Sequence, residues 1–344
     1  MAKVTPKENF MMLAGGGHPA YVPFFTMMGN EGLSETPCKR SGPNIFPGNP
    51  FEPGGVDMWG VPQAMNDTTA FAGMPAPGEF MFTDVTEWHK YVKKPVVNEP
   101  GDWAAMAKAD LEMINYNPDE SALIAGVFHQ PFQQLMAFMG HEFGLLAMFE
   151  EPEAVIELED FMCSFFEPYL EKTIEYYKPD IWALGDDTCT EISPFFSVEM
   201  YRKFFKPIYT RLAQPAIDRG IPVLFHICGQ FMDFVPEMLD FGVKYIEPTQ
   251  ETNDIMWLKE TYKDVSFIGG FDYGRHVPPG YPDYSEELLR LDVRNTIDKY
   301  SPGGAYGMFA WPISFVGDPN IDRVKQIIWD ETETYGKTVY GYKD

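Results

Sequence analysis

Short apolar runs alternate with longer helical patterns through most of this chain. Ala122–Phe128, Ile181–Asp187, Ile221–Ile227, Val243–Glu247, Val265–Asp272 and Gly304–Ala310 have the length and residue types of strands. Tyr21–Phe25 and Glu79–Asp84 read as two more. Between them lie helical spacings, one through Phe132, Leu135, Met136 and Met139, and a long one over 152–177 through Val155, Leu158, Phe161, Met162, Phe165 and Phe166. Ser197 is placed to cap a helix opening at Val198. Residues 284–300 and Asp322–Thr334 read as the last two helices. Strand then helix, about eight times, predicts a parallel sheet closed as a (β/α)8 TIM barrel. Gly and Pro crowd the first 78 residues. We expect residues 1–75 to be a loop-rich N-terminal extension packing on the barrel, and 76–344 to be the barrel, a single catalytic domain.

Barrels place their chemistry at the C-terminal strand ends. Here those ends carry Asp84, His129, Asp186, Asp187, His226, Cys228, Glu247 and Asp272. Capping the next helix is the common duty of a single acid, but so many together point to a site. The sharpest pattern is His226-Ile227-Cys228-Gly229. Strand residues two apart share a face, so an imidazole and a thiol project together. Glu247, ending the next strand, offers a third ligand. Nitrogen, sulfur and oxygen donors suit zinc, and three protein ligands with one open position is its catalytic pattern. His129 reads equally as a proton donor, a substrate contact or a structural hydrogen-bonder.

Composition narrows the partners. The net charge of -25 repels phosphate backbones and anionic membranes. No apolar run approaches the roughly 20 residues of a membrane span, and Met1–Pro6 lacks the layout of a secretion signal. Four cysteines without regular spacing are no disulfide framework, so we expect a cytoplasmic protein with reduced thiols. The 28 Phe and 20 Met residues are enough for an apolar cavity as well as a core.

Leu184-Gly185-Asp186-Asp187, Phe195–Tyr201, Pro207, Phe225–Gly229 and Gly270-Phe271-Asp272, preceded by Phe82-Thr83-Asp84, Trp88 and Pro95, resemble the uroporphyrinogen decarboxylase superfamily in order and spacing. The resemblance covers about residues 57–330 and implies a single (β/α)8 barrel. The stretch Gly15–Tyr21 lacks the arginines with which the porphyrinogen decarboxylases bind substrate carboxylates. His226 and Cys228 instead match the zinc motif of the corrinoid-dependent methyltransferase branch. That branch usually adds a Cys after the last strand, where Trp311 stands here. The His226, Cys228, Glu247 set is similar to the zinc site of cobalamin-independent methionine synthase.

The resemblance implies an O-demethylase-type methyltransferase. It would move a methyl group from an O-methyl donor, a methoxylated aromatic, to a Co(I) corrinoid supplied by a partner carrier protein. The chain has no Asp-x-His-x-x-Gly motif to bind that cofactor itself. Asp187 or Glu191 would supply a fourth zinc ligand or a hydrogen bond to His226. Asp84 and Asp272 are candidates to face the cofactor at the mouth, and Trp311 to join an aromatic pocket. Three other readings stay open: transfer from a methylcorrinoid to a thiol, a metal-free porphyrinogen-type decarboxylase with Asp84 as the charge-pairing group, and a non-catalytic tetrapyrrole-binding barrel.

Overall fold

A computed structural model of the chain describes residues 4–25, 37–49, 52, 54–64, 73–127, 129–271, 285–310, 312, 314 and 317–342. Seven strands form one parallel sheet: β1 Cys38–Arg40, β2 Ala122–Ala125, β3 Ile181–Gly185, β4 Val223–His226, β5 Val243–Thr249, β6 Ser266–Gly270 and β7 Tyr306–Phe309. Each strand pairs with the next in chain order, which is how successive βα units add to one sheet. The last strand gains a neighbour at Phe24, which bridges Met308 in parallel, while the Phe25 N–H donates to the Met308 carbonyl. Among the described residues no bridge joins Phe24 to β1. The sheet is therefore a curled half-barrel with an eighth strand position, and closure into a ring is not shown.

Alternation decides what each strand residue faces. Cys38, Ile124, Ala183, Leu224, Tyr245, Ile268 and Phe309, from all seven strands, meet in one interior cluster with Phe10, Leu13 and Phe25. Their sequence neighbours Trp182, Phe225, Ile246 and Phe267 point outward to the helix layer. Phe10 lies on α1 Pro6–Met11, whose N-terminus is fixed by a Thr5–Glu8 capping box. Burying one such large side chain contributes about 1.5–3 kcal/mol.

The helices in the connections include α2 Trp103–Met113, α3 Pro131–Glu150, α4 Pro152–Tyr177, α5 Lys206–Ile217, α6 Val235–Asp240, α7 Ile255–Thr261, α8 Glu286–Tyr300 and α9 Ile321–Val339. Gly140, at φ +75°, breaks α3 in the middle. None of the described helices is long and apolar enough to cross a membrane.

Two elements differ from the pattern reading. Glu79–Asp84 is not a strand: Met81 donates its N–H to the Phe138 carbonyl, and the Phe82 ring packs tilted against Phe138 at 5.7 Å. Its alternating apolar residues are met by α3 instead of by the sheet. Conversely, β1 arises at Cys38–Arg40, inside the Gly- and Pro-rich stretch. Ser197 does cap the helical turn at Val198, accepting from the Met200 N–H.

Candidate metal centre

The parity that fills the interior also aims the polar strand ends. Ile181 and Ala183 face inward, and so, two and four residues on, do Gly185 and Asp187. Leu224 faces inward and is followed by His226 and Cys228. Tyr245 is followed by Glu247. Register puts these at one level, since Gly185 pairs with His226 and His226 with Glu247.

Three ligand atoms, one each from Asp187, His226 and Cys228, lie within 4.8 Å of one another. Cys228 Sγ is 3.7 Å from His226 Nε2, and Asp187 Oδ1 is 3.8 Å from the same nitrogen. Asp187 Oδ1 also accepts the Cys228 N–H at 2.8 Å, which fixes the cysteine backbone. Glu247 approaches from the other edge of the ring: its Oε1 is 2.9 Å from Nδ1. Being directly across from His226 in the register, it reaches that edge and stands behind the imidazole, while Asp187 stands with the thiol. Gly229 ends the motif at φ +91°, where a Cβ would lie 2.5 Å from the Thr190 carbonyl oxygen. Only glycine allows the two loops so close.

Burial opposes charge on His226, but the Glu247 carboxylate and the hydrogen bond with Cys228 outweigh it and hold the imidazole well above its usual range. Burial raises the Cys228 thiol, partly offset by the His226 hydrogen bond. Glu247 is buried, and its Oε2 has no hydrogen-bond partner among the described residues. Arg40, facing inward from β1, feels the Glu247 charge, although burial lowers the guanidinium from its ordinary value.

Asp186 belongs to the opposite parity. It is fully buried and accepts from the Phe132 and Gln133 N–H groups at 2.7 and 3.1 Å and from the Tyr209 hydroxyl at 2.8 Å. It anchors the start of α3. Burial lifts it to about 7 against the lowering effect of those bonds.

A cavity of about 580 Å³ opens beside Asp187 and Cys228. Its walls include Phe80, Phe132, Met136 and Phe195, with Met74–Gly78 from the N-terminal region. Cys189 also lines it, and burial pushes that thiol up to about 12.

The remaining expected residues lie elsewhere. Glu191 is exposed in the loop beyond the Cys189–Pro194 bridge. His129 is buried and stacks on Phe166 at 4.9 Å. Burial drops it to about 3, so its ring is neutral. Asp84 is exposed and caps a helical turn through the Thr86 N–H. Asp272 and Trp311 lie outside the described residues. Two site features went unread in the sequence, Arg40 and Gln133, the latter in the cavity wall. The inward parity of Cys38 would have exposed Arg40 had the three-residue strand been legible.

No curated protein matches the chain by sequence. Its structure is similar to that of a methyltransferase from Methanosarcina mazei, with a TM-score of 0.58 and 14% identity over 97% of this chain and 100% of that one. That likeness is one of fold. The model of the uroporphyrinogen decarboxylase (URO-D) family matches residues 56–302, spanning the strands that carry all four residues of the centre, and the chain belongs to that family.

Proposed function

We propose that this chain is a zinc-dependent methyltransferase that takes a methyl group from a methoxylated aromatic and passes it to a corrinoid carried by a partner protein. The observation that carries the reading is the meeting of an imidazole with a thiol and a carboxylate, the last two lining an apolar, aromatic-walled cavity. The donor set fits zinc: one nitrogen, one sulfur and one oxygen converge, and a carboxylate backs the imidazole. In this reading Asp187, His226 and Cys228 hold the ion, and Glu247 fixes the ring from Nδ1 so that Nε2 faces Cys228. When bound, the ion supplies Lewis acidity for the charge that develops on the donor's ether oxygen. One thiolate in place of two keeps it a hard acid, matched to oxygen.

The rest falls to the chain. Asp187, through the Cys228 N–H, keeps thiol and carboxylate at fixed spacing. Phe80, Phe132 and Phe195 hold an aromatic ring and exclude water. The methyl–oxygen bond breaks with its electron pair left on oxygen. The partner's reduced corrinoid would supply the electron pair that accepts the methyl carbon, and the phenolate would leave to be protonated by water. The methyltransferase name of the structural neighbour supports this reading. So does the lack of arginine in Gly15–Tyr21, where a porphyrinogen decarboxylase would bind carboxylates.

Elemental analysis beside a turnover assay tests it. Wild type should hold one zinc per chain, and Cys228→Ser and Asp187→Asn should lose most of it. Glu247→Gln should weaken zinc about 10–100-fold, as loss of a carboxylate behind a ligating imidazole does. Methoxyphenols with a reduced corrinoid carrier should yield the demethylated phenol only with zinc-loaded protein. Equal metal in all four proteins would refute the centre.

A further inference from the structure

The first turn of α3 carries two glutamines with different surroundings. Gln134 donates from Nε2 to Asp57 at 2.9 Å. Gln133 lines the cavity, and its side-chain amide has no hydrogen-bond partner among the described residues. The backbone beneath it is fixed, because its N–H donates to the buried Asp186 and that carboxyl is held by Tyr209. The helix start therefore presents an unengaged amide, with donors and an acceptor, in a wall that also holds Phe80, Phe132, Met136 and Phe195.

The charge of the cavity points the same way. The ionisable residues among its described lining are Asp187, His141 and the thiols of Cys189 and Cys228, with no lysine or arginine. Glu247 adds a buried carboxylate behind the imidazole. An anionic ligand would lose its water beside Asp187, and the two charges of the ion proposed above are already balanced by Asp187 and the Cys228 thiolate, so the described wall offers no net positive charge to receive it. A neutral ring faces no such cost.

Resting on the methyl-donor reading above, we infer that the cavity takes an uncharged aromatic methyl ether bearing a ring hydroxyl, and that Gln133 is the residue that selects the hydroxyl. The amide pairs with the hydroxyl and is left unpaired by the analogue that lacks it, which is how a polar group in an apolar pocket discriminates.

Titration calorimetry on the zinc-loaded full chain, without any acceptor, tests this separately from turnover. The probes are 2- and 4-methoxyphenol, methoxybenzene and 4-hydroxy-3-methoxybenzoate. In wild type the better methoxyphenol should bind about 5–10-fold tighter than methoxybenzene, the value of one neutral hydrogen bond. In Gln133→Leu that ratio should fall to about one, with methoxybenzene affinity unchanged. Gln133→Asn should restore part of it. The side chain makes no hydrogen bond among the described residues, and every variant keeps the N–H to Asp186, so folding is not at stake. The carboxylated ring should bind at least about tenfold more weakly than the neutral phenol.

A hydroxyl ratio that survives Gln133→Leu, a loss shared equally by phenol and ether, or a carboxylated ring bound as tightly as the neutral one would overturn the inference and leave methyl transfer standing. The expected ratios without any turnover would uphold the pocket and sink the transfer reading. Failure of every methoxylated ring to bind would end both.

Discussion

At Glu159, on α4, the chain buries a carboxyl group with neither oxygen hydrogen-bonded among the described residues. Burial, with the nearby Asp186 charge, raises its pKa well above the ordinary 4.5. The folded state thus keeps a proton that the unfolded chain releases above that value. Folding takes up a proton through that window, so stability falls as pH rises from the unfolded toward the folded pKa. Glu159→Gln removes the slope. Its stability relative to wild type should rise with pH, by up to about 1.4 kcal/mol per pH unit. Urea midpoints at about pH 5 and about pH 8 check it, and a difference that does not change between them would count against a neutral buried acid. None of this is legible in the sequence, where Glu159 sits among the acids of a long amphipathic helix. Burial of a single carboxyl is decided by what packs over it. His226 and Cys228, by contrast, were legible, because their pairing depends only on strand alternation. Glu247 was legible as a neighbour by the same rule. Which edge of the ring it meets depends on inter-strand register, and the sequence does not state that.

Elements carry the site through small residues as much as through ligands. Gly185 ends β3 opposite His226, and a Cβ there would stand 2.7 Å from His226 Cβ and 2.9 Å from its carbonyl oxygen. Gly185→Ala should therefore push the imidazole off its line with Cys228 without touching a ligand. Zinc affinity should fall at least about tenfold, the cost of misorienting a ligating ring, while the far-UV circular dichroism stays that of wild type. Unchanged zinc affinity in this variant would mean that His226 is not a ligand. At this scale the pattern reading found six of the seven sheet strands and the 26-residue α4, whose Pro152–Tyr177 limits match the expected 152–177. Long or strongly apolar runs are dictated by burial and announce themselves. It missed β1, whose three residues are too few to show a period. It also took Glu79–Asp84 for a strand. Apolar alternation reports an extended segment with one buried side, and a helix surface satisfies it as well as a sheet does.

For the molecule as a whole, the question is whether the proposed ion would build the fold or only complete the site. The interior cluster of Phe10, Leu13, Phe25, Tyr245 and Phe309 closes below the centre with no help from Asp187, His226 or Cys228. The outer layer between sheet and helices is likewise continuous and apolar. Removing zinc should therefore leave the far-UV spectrum intact, unlike the small domains that exist only around their metal. Zinc bound as proposed would still stabilise by linkage, about 2.7 kcal/mol at a free concentration a hundredfold above Kd, so a chelator should lower Tm by a few degrees. A chain with a net charge of -25 also gathers divalent ions on its surface, which would raise Tm without any site. Cys228→Ser separates the two, because it removes one ligand and leaves the surface charge as it was. The chelator shift should persist in wild type at high salt, where surface attraction is screened, and vanish in Cys228→Ser at every salt concentration. A shift of equal size in both proteins would assign the ion to the acidic surface, and collapse of the spectrum on chelation would make the metal part of the fold.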